Sequence, residues 1–285
     1  MSGDISPLVT CFQPEHLEDP VLVMVCGGWV DAAGSANACR ERLRAPGTGR
    51  LIARFDADRL LGHRARRPTV HLVDGVSRRL EWPAIELHLV ETDGDRDILL
   101  LDGPEPDHEW RGFAASVVDL CHRLGVDLVV GLGAYPAAVP HTRPTQVYGG
   151  TDDEKLALRL NLSPSTYEGP TGIVGVLAAG LRDRGVTTAS FWASVPAYVS
   201  NVPSPKAALA LVERLSQLLE VDVPCTDLEI AAAAYERQVT ELVAEDDDTM
   251  EYVEQLEADF DEETAEDPDS LVAEVEDFLR NQPGT

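Results

Sequence analysis

Two short apolar runs, each ending at glycines, constrain the fold of this chain most. Residues 128–130 read Leu-Val-Val and lead into Gly131-Leu132-Gly133. Residues 21–25 read Val-Leu-Val-Met-Val and lead into Cys26-Gly27-Gly28-Trp29. Such runs are too short for a helix and rich in β-branched residues, which is typical of strands buried on both faces of a parallel sheet. The sequence therefore predicts an α/β fold in which both runs are central strands.

Further apolar runs predict a mixed, mainly parallel sheet flanked by helices. Strands are predicted at 51–55, 85–90, 98–101 and 187–193, and helices at 32–43, 108–124, 173–184 and 205–220. The runs at 85–90 and 98–101 are joined by a polar turn, so we expect an antiparallel pair there.

A β-hairpin insertion is predicted at about 68–83. Two alternating runs, 70–73 and 76–82, are separated by Asp74-Gly75. Asp-Gly between alternating runs is a strong hairpin signal, because both residues tolerate positive φ. A hairpin inserted into a parallel sheet projects from it, so we expect this one to pack against another subunit.

The negative charge is concentrated at the end of the chain. Residues 226–285 hold 21 acidic and 2 basic residues, whereas the whole chain has a net charge of −27. Thin apolar stripes predict three helices there, at 228–244, 250–260 and 271–279. We therefore divide the chain into an α/β core domain, 1–225, and an acidic helical subdomain, 226–285. Because such helices need a surface to pack on, we hypothesise that they form a lid over the carboxyl-end loops.

Composition excludes several classes of protein. The acidic surface repels phosphate backbones, so no nucleic-acid partner is expected. No run reaches the roughly 18 apolar residues of a membrane helix and no secretory segment opens the chain, which predicts a cytoplasmic protein without membrane contact. Five scattered cysteines, without a CxxC pair or a histidine at metal spacing, predict reduced thiols and no metal site.

The loop after residues 128–133 is the strongest candidate site. It carries Tyr135 and three prolines, and His141, Thr142 and Arg143 supply donors suited to an anion or a polar partner. In an open α/β sheet, loops at the carboxyl ends of central strands are where ligands bind. The alternative is that the glycines and prolines here only turn the chain.

Other passages extend this candidate site. Thr171 and Gly172 begin a helix whose unpaired N–H groups can hold an anion or an acidic side chain, although its glycines also suit plain packing. Ser194 and Tyr198 follow the last strand. The candidate ligand-binding set is therefore Gly27, Gly28, Trp29, Gly133, Tyr135, His141, Thr142, Arg143, Thr171, Gly172, Ser194 and Tyr198.

No complete catalytic motif accompanies this set. The spacing of Gly28 and Gly34 is not GxGxxG, and Ser194 is not in a GxSxG elbow. The acids Asp152-Asp153-Glu154 are explained by a helix N-terminus better than by Mg²⁺. We assign no catalytic residue, no metal and no cofactor, and the sequence favours a protein that is not an enzyme without deciding the point.

Over about 21–220 the chain resembles the proteasome-assembly-chaperone type-two family. The resemblance rests on four passages: Gly27-Gly28-Trp29, Gly131 to Tyr135 with His141-Thr142-Arg143-Pro144, Gly169 to Gly175, and Ala193 to Tyr198. It implies a nucleoside-phosphorylase-like α/β core and no defining enzymatic activity. Eukaryotic and archaeal relatives assist the assembly of the proteasome α ring, so the resemblance also implies proteasome-type subunits as partners.

The sequence departs from that family at its end. Proteasome-docking relatives finish in a hydrophobic-Tyr-any residue tail, whereas this sequence ends Asn281-Gln282-Pro283-Gly284-Thr285, which we expect not to dock in that way. The hairpin and the acidic helices resemble additions of a bacterial branch. Two hypotheses follow: a non-catalytic interaction or assembly factor that forms a dimer or trimer, or a protein or enzyme that binds an anion or nucleoside-like small molecule in the cleft.

Overall fold

The computed structural model describes residues 6–12, 16–28, 31–44, 49–90, 94, 96–160, 162 and 168–266. Within these residues the strands are Val9–Cys11 (β1), Val21–Gly27 (β2), Arg50–Phe55 (β3), Thr69–Val73 (β4), Ser77–Glu81 (β5), Glu86–Val90 (β6), Ile98–Pro104 (β7), Leu128–Ala137 (β8), Val147–Thr151 (β9) and Thr187–Pro196 (β10). The α-helices are Ser35–Leu43 (α1), Ala57–Leu60 (α2), Trp110–Leu124 (α3), Glu154–Leu160 (α4), Ile173–Arg182 (α5), Pro205–Leu219 (α6), Thr226–Val243 (α7) and Asp247–Glu266 (α8).

One mixed sheet, in the order β1-β3-β6-β7-β2-β8-β10-β9, confirms the predicted fold class. The four central strands β7, β2, β8 and β10 run parallel to one another, and antiparallel pairs complete both edges. The predicted antiparallel pair is β6 with β7. Because β7 and β8 lie on opposite sides of β2, the chain changes direction there. The carboxyl ends of β2 and β8 therefore border the crevice in which open α/β sheets bind ligands.

Strand β2 shows how the two faces of the sheet are filled. Val21, Val23 and Val25 belong to a core cluster with α1, α4 and α6. Leu22 and Met24 belong to a second cluster with α3 and α5. Alternate residues of a strand point to opposite faces, so a strand covered on both sides must be apolar throughout. Full burial of one such side chain contributes about 1.5–3 kcal/mol.

Strand β8 is longer than predicted. The sequence analysis ended it at Val130 and placed Tyr135 in the following loop, but the strand continues to Ala137 in register with β10. Glycine at 131 permits close packing, because a Cβ there would lie 2.5 Å from Val174 Cγ1 of α5. The prediction was wrong because a glycine that admits a neighbouring helix was read as a turn signal.

The same reading misplaced Gly149 and Gly150. The sequence predicts a strand at 145–148 that ends in a turn at Gly149-Gly150, but both glycines lie inside β9, which pairs antiparallel with β10. A Cβ at Gly149 would lie 3.0 Å from the Phe191 ring, so this glycine also makes room for a neighbour. Strand β10 likewise continues past its predicted end to Pro196, which places Ser194 within the strand.

The predicted hairpin is present as a separate two-stranded sheet, β4 with β5. Asp74 and Gly75 have φ values of 52° and 72°, the left-handed conformation that the tight turn requires. Every residue of both strands is exposed. The hairpin therefore contributes nothing to the two core clusters of the main sheet.

Helices α7 and α8 pack on the carboxyl-end side of the body. Their buried residues Tyr235, Val239, Val243 and Val253 form a cluster with Val199, which follows β10. The helix predicted at 271–279 lies outside the described residues. No helix in the described part of the chain combines the length and apolar character needed to cross a membrane.

The buried cysteines carry no disulfide. Cys26, Cys39 and Cys121 are buried free thiols, as the sequence predicted for its apolar segments. Burial raises the pKa of Cys26 and of Cys121 to about 12. Both groups therefore remain neutral thiols and pack as small apolar side chains.

Candidate functional site at the carboxyl end of the sheet

His141, in the loop after β8, is the buried centre of the candidate site. Its backbone N–H donates to Tyr198 Oη at 2.9 Å, and its Nδ1 lies 2.7 Å from the same oxygen. Its Nε2 lies 2.9 Å from Thr240 Oγ1 of α7. Since Thr240 already donates its hydroxyl proton to the Glu236 carbonyl, Nε2 must donate to Thr240, and Nδ1 must accept from Tyr198. This network fits a neutral imidazole with its proton on Nε2.

The surroundings of His141 favour that neutral form. Burial lowers the pKa of His141, and the nearby Lys206 ammonium lowers it further. Lys206 Nζ donates to the His141 carbonyl at 2.6 Å and also to the Glu236 carboxylate. Burial raises the pKa of Tyr198, so the phenol keeps the proton that it shares with Nδ1. These hydrogen bonds join the loop to α6 through Lys206 and to α7 through Glu236 and Thr240.

Thr142 and Arg143 are held by α8. Thr142 Oγ1 donates to the Glu257 carboxylate. Arg143 Nε and Nη2 donate to the two carboxylate oxygens of Asp261 at 2.8 and 2.7 Å, a bidentate pair. Asp261 holds the pKa of Arg143 above its usual range. The donors that the sequence offered to an anion are therefore occupied by carboxylates of the same chain.

Tyr135 and Ser194 face each other across the paired strands β8 and β10. Tyr135 is buried, and its ring centre lies 6.0 Å from that of Tyr148. The Ser194 backbone N–H and hydroxyl both donate to the Gln146 carbonyl, at 3.0 and 3.2 Å. Gly133 lies within β8, paired with Trp192. These residues hold the start of β9 against β10.

The helix start at Gly172 is occupied by Glu105. The Ile173 N–H, at the start of α5, donates to Glu105 Oε1 at 2.7 Å. Glu105 is itself anchored next to β2, because its backbone N–H donates to the Gly27 carbonyl at 2.9 Å. An acidic side chain thus takes the position that the sequence left open to an anion or an acid. Gly28 has a φ of 153°, a conformation that favours glycine.

The predicted set thus falls into three groups. His141, Thr142, Arg143 and Tyr198 meet beneath α7 and α8, and Gly133, Tyr135 and Ser194 belong to the sheet. Gly27, Gly28 and Gly172 are brought together around Glu105. Thr171 is exposed, with its Oγ1 in the space next to Gly175. Trp29 lies outside the described residues.

An open groove of about 810 Å³ lies next to Gly27 and Gly28. Arg40 of α1 and Arg44, the residue that follows α1, line one part of it, and Trp82 with Arg66 lines another. Arg44 Nη1 donates to the buried carboxylate of Asp102 at 2.9 Å. The sequence analysis missed these arginines. The four-residue spacing of Arg40 and Arg44 places them on one helix face and could have revealed them.

The sequence also gave no indication of the residues that complete the His141 network. Lys206, Glu236, Thr240, Glu257 and Asp261 lie on three separate helices, up to 118 positions along the chain from their partners. The i,i+4 spacing of Glu236 and Thr240 indicates a shared face of α7. Nothing in the sequence tells which loop that face covers.

The polar groups of the site mostly satisfy one another. Both ring nitrogens of His141 and the hydroxyl of Ser194 are engaged within the protein, so they do not form a nucleophile with its base. In the described part of the chain no group of three or more His, Cys, Asp and Glu is arranged to hold a metal ion.

In the described part of the chain, the fold and the site define an α/β protein with an eight-stranded mixed sheet, and its carboxyl-end loop is bound by α7 and α8. The chain belongs to the PAC2 family, whose model matches residues 25–243. That match includes α7, a helix that the sequence analysis assigned to the appended subdomain. None of the curated proteins matches the chain.

Solved structures agree with this assignment. A PAC2 family protein from Streptomyces avermitilis is 41% identical, with a TM-score of 0.75 over 82% of this chain and 100% of that one. A proteasome-assembly chaperone homologue from Mycobacterium tuberculosis is 40% identical, with a TM-score of 0.73 over 82% of this chain and 99% of that one. An archaeal proteasome activator from Pyrococcus furiosus is 14% identical over 82% of this chain and 97% of that one, with a TM-score of 0.63, and shares the fold alone.

Proposed function

We propose that this PAC2 family protein is a non-catalytic, homo-oligomeric interaction or assembly factor. The observation that carries the proposal is the occupation of the candidate site by the protein's own groups. Arg143 pairs with Asp261, and the N–H at the start of α5 donates to Glu105. Both ring nitrogens of His141 are hydrogen-bonded to other side chains of the protein. A ligand at this end of the sheet would have to displace contacts that are already made, whereas a protein partner needs only the outer surface.

Proteasome-type subunits are the partners that we propose. The support is kinship: one relative at 40% identity is described as a proteasome-assembly chaperone homologue. We further propose that the chain represents a bacterial branch of its family, that its core is phosphorylase-like and that it acts in the cytoplasm. The resemblance of the glycine-containing passages and the additional hairpin and acidic helices support the first two points.

Native mass spectrometry of the protein purified gently from its own cells tests this function first. We expect a dimer or trimer that retains no small molecule. Purified α subunits of the host's proteasome-type ring should then assemble faster with the protein than with an unrelated acidic protein of similar net charge. A monomer that carries a bound metabolite, and leaves ring assembly unchanged, would contradict the proposal.

The groove next to Gly27 and Gly28 favours a second candidate, a protein or enzyme that binds an anion or a nucleoside-like molecule. The observation that favours it is an open volume of about 810 Å³, whose lining includes Arg40, Arg44 and Arg66 together with the carboxylates of Asp31, Glu81, Glu86 and Asp102. Calorimetric titration with inorganic phosphate and with adenosine monophosphate tests it. If this candidate is right, Arg40→Ala should abolish binding. Arg143→Ala is the matched control and should leave binding unchanged, since Arg143 does not line this groove.

The division of the chain at residue 225 also remains a proposal. Its support is the change in charge between the body and residues 226–285. The contacts of α7 and α8 with the loop at 141–143 suit the proposed role as a lid. Amide exchange on the chain with and without residues 226–285 tests both points. Equal exposure of the loop in the two forms would contradict the lid.

A further inference from the structure

The groove next to Gly27 and Gly28 has two carboxylates on its floor. Glu86 of β6 and Asp102 of β7 are opposite each other in the antiparallel pair, and both line the groove. Asp102 is only 4% exposed. Like charges at directly opposite positions repel each other, so this part of the groove favours a positively charged group.

The cations of the protein satisfy only part of this floor. Glu86 Oε1 accepts from Arg54 Nε at 2.7 Å, and Glu86 Oε2 lies 2.9 Å from His88 Nε2. The hydrogen bond with His88 and the pairing with Arg54 lower the pKa of Glu86 to about 2, so this carboxylate stays ionised. Asp102 Oδ2 accepts from Arg44, but Asp102 Oδ1 accepts from no donor in the described part of the chain. One oxygen of a buried carboxylate is therefore open to the groove.

The three arginines of the groove differ in how firmly they are paired. Arg44 is already bound to the floor, and Arg66 Nη1 donates to Asp107 Oδ1 at 2.5 Å. Arg40 Nη2 has only the exposed Glu41 carboxylate, at 3.4 Å, and its own side chain is 24% exposed. Among the described residues no other carboxylate forms an ion pair with Arg40. Arg40 is thus the arginine of this groove that is available to an anion.

Trp82 adds an aromatic surface at the other side of the groove. It is 54% exposed, and the His63 ring packs edge-on against it with ring centres 5.2 Å apart. A guanidinium or ammonium group that lies over an indole ring gains a cation–π attraction. The exposed carboxylate of Glu81, the preceding residue, also lines the groove. This side therefore suits a cation, as the floor does.

The anionic and cationic subsites are separated by about the length of a small molecule. Arg40 lies on α1, which packs on β2, whereas Trp82 lies just before β6. Strand β7 separates β2 from β6 in the sheet. Two strand spacings amount to roughly 10 Å. A ligand that contacts both sides therefore carries its opposite charges at its two ends.

We propose that the groove binds a small zwitterion of the amino-acid class whose side chain ends in a guanidinium or ammonium group. Arg40 holds the carboxylate of the ligand, and its cationic end lies between Trp82 and the carboxylates of Glu86 and Asp102. This inference rests on the groove as a ligand site, the second candidate function, and names the class of ligand. Four carboxylates and three arginines line the groove, which disfavours a phosphate ester with two negative charges.

Calorimetric titration with three probes of similar size tests the proposal. L-arginine carries both charges, L-citrulline has the same shape with a neutral side-chain end, and agmatine lacks the carboxylate. L-arginine should bind at least about tenfold more tightly than either analogue, because each analogue loses a charge-assisted contact. Physiological salt screens the diffuse attraction of an acidic protein for cations. Equal binding of L-arginine and agmatine would show only that attraction and would overturn the proposal.

Two variants test the two ends of the ligand. Arg40→Gln should weaken the binding of L-arginine at least about tenfold and leave that of agmatine unchanged. Asp102→Asn should weaken the binding of both, and its amide oxygen can still accept from Arg44, which preserves the fold. Arg111→Gln on α3, outside the groove, is the matched control and should bind L-arginine as the wild type does. Undiminished binding of L-arginine by Arg40→Gln would overturn the proposal.

A nuclear magnetic resonance measurement locates the ligand. The indole N–H signal of Trp82, assigned with a Trp82→Phe variant, should shift when L-arginine is added. If calorimetry detects binding but this signal does not move, the ligand lies elsewhere and the proposal is wrong. If phosphate or adenosine monophosphate binds through Arg40 and L-arginine does not, this inference fails and the groove candidate stands. If none of these probes binds, both fail.

Discussion

Strand β8 and the hairpin β4–β5 both carry large apolar side chains, but these side chains have opposite environments. Nine of the ten residues of β8 are buried, whereas every residue of β4 and β5 is exposed. Leu132 is 1% exposed and Leu72 is 64% exposed. The same type of side chain thus contributes very differently to the stability of a single chain in the two regions. Apolar strand composition shows that a face must be covered, but not whether the same chain covers it.

The largest expected effect on stability comes from comparing Leu132, which is buried in β8, with Leu72, which is exposed in the hairpin. Leu132→Ala removes a buried side chain between β8 and the α6 side of the sheet and should lower the free energy of unfolding by about 2–5 kcal/mol. Leu72→Ala should change it by less than about 0.5 kcal/mol in the monomer. Urea denaturation at a concentration that keeps the protein monomeric measures both. A comparable loss for Leu72→Ala would mean that the chain itself covers the hairpin.

Much of the fold follows from local sequence. Apolar runs located the central strands, alternation with Asp74-Gly75 located the hairpin, and both were correct in type. The errors lie at Gly131 and Gly149, where the missing Cβ leaves room for a side chain of a neighbouring element. A local pattern cannot distinguish that use from a turn, because the helix or ring that requires the glycine lies elsewhere in the chain.

The second-largest effect on stability should come from His141, in the loop after β8, with His71 in the hairpin for comparison. His141→Ala leaves the Tyr198 hydroxyl without its acceptor and Thr240 without its donor, so the free energy of unfolding should fall by about 1–3 kcal/mol. Amides of α7 should exchange faster in this variant. His71→Ala, at an exposed hairpin position, is the matched control and should change neither quantity. Unchanged α7 exchange in His141→Ala would exclude His141 as the joint with α7.

The candidate site was only partly accessible from sequence. His141, Thr142 and Arg143 were selected because they follow a central strand, and the structure brings them together with Tyr198. Their partners on α7 and α8 could not be inferred, since acidic residues are abundant along both helices. The assignment of these residues to ligand binding stays a prediction.

A smaller and more local effect is expected in the hairpin turn. Gly75→Ala places a Cβ at a φ of 72°, which should cost the hairpin roughly 1–2 kcal/mol. Unfolding of the body should be unchanged, because no core cluster includes the hairpin. Self-association should weaken as β4 and β5 separate. Gly185→Ala, at a φ of 79° with open space around it, is the matched control and should leave self-association intact.

The smallest effect should be a pH dependence arising at His141. Its pKa in the folded protein lies below the ordinary value of 6.5, so the unfolded chain binds the proton more readily. The contribution to stability is therefore complete above about 6.5 and is lost as the pH falls from there through the lower pKa of the folded protein. Tyr198, Lys206, Glu236 and Glu257 face the ring and modulate the loss. Urea midpoints from about pH 8 to pH 5 should fall further for the wild type than for His141→Ala. Parallel curves would contradict this assignment.

The network at His141 also has a consequence for the order of folding. Its partners at Thr240, Glu257 and Asp261 follow 99 to 118 positions later. Segments nearer the N-terminus fold first during synthesis, and contacts between distant positions carry a high closure entropy. The parallel strands can therefore assemble while the loop still lacks its cover. We therefore expect α7 and α8 to pack over the loop last during folding and to be the first part of the structure to open under mild denaturant.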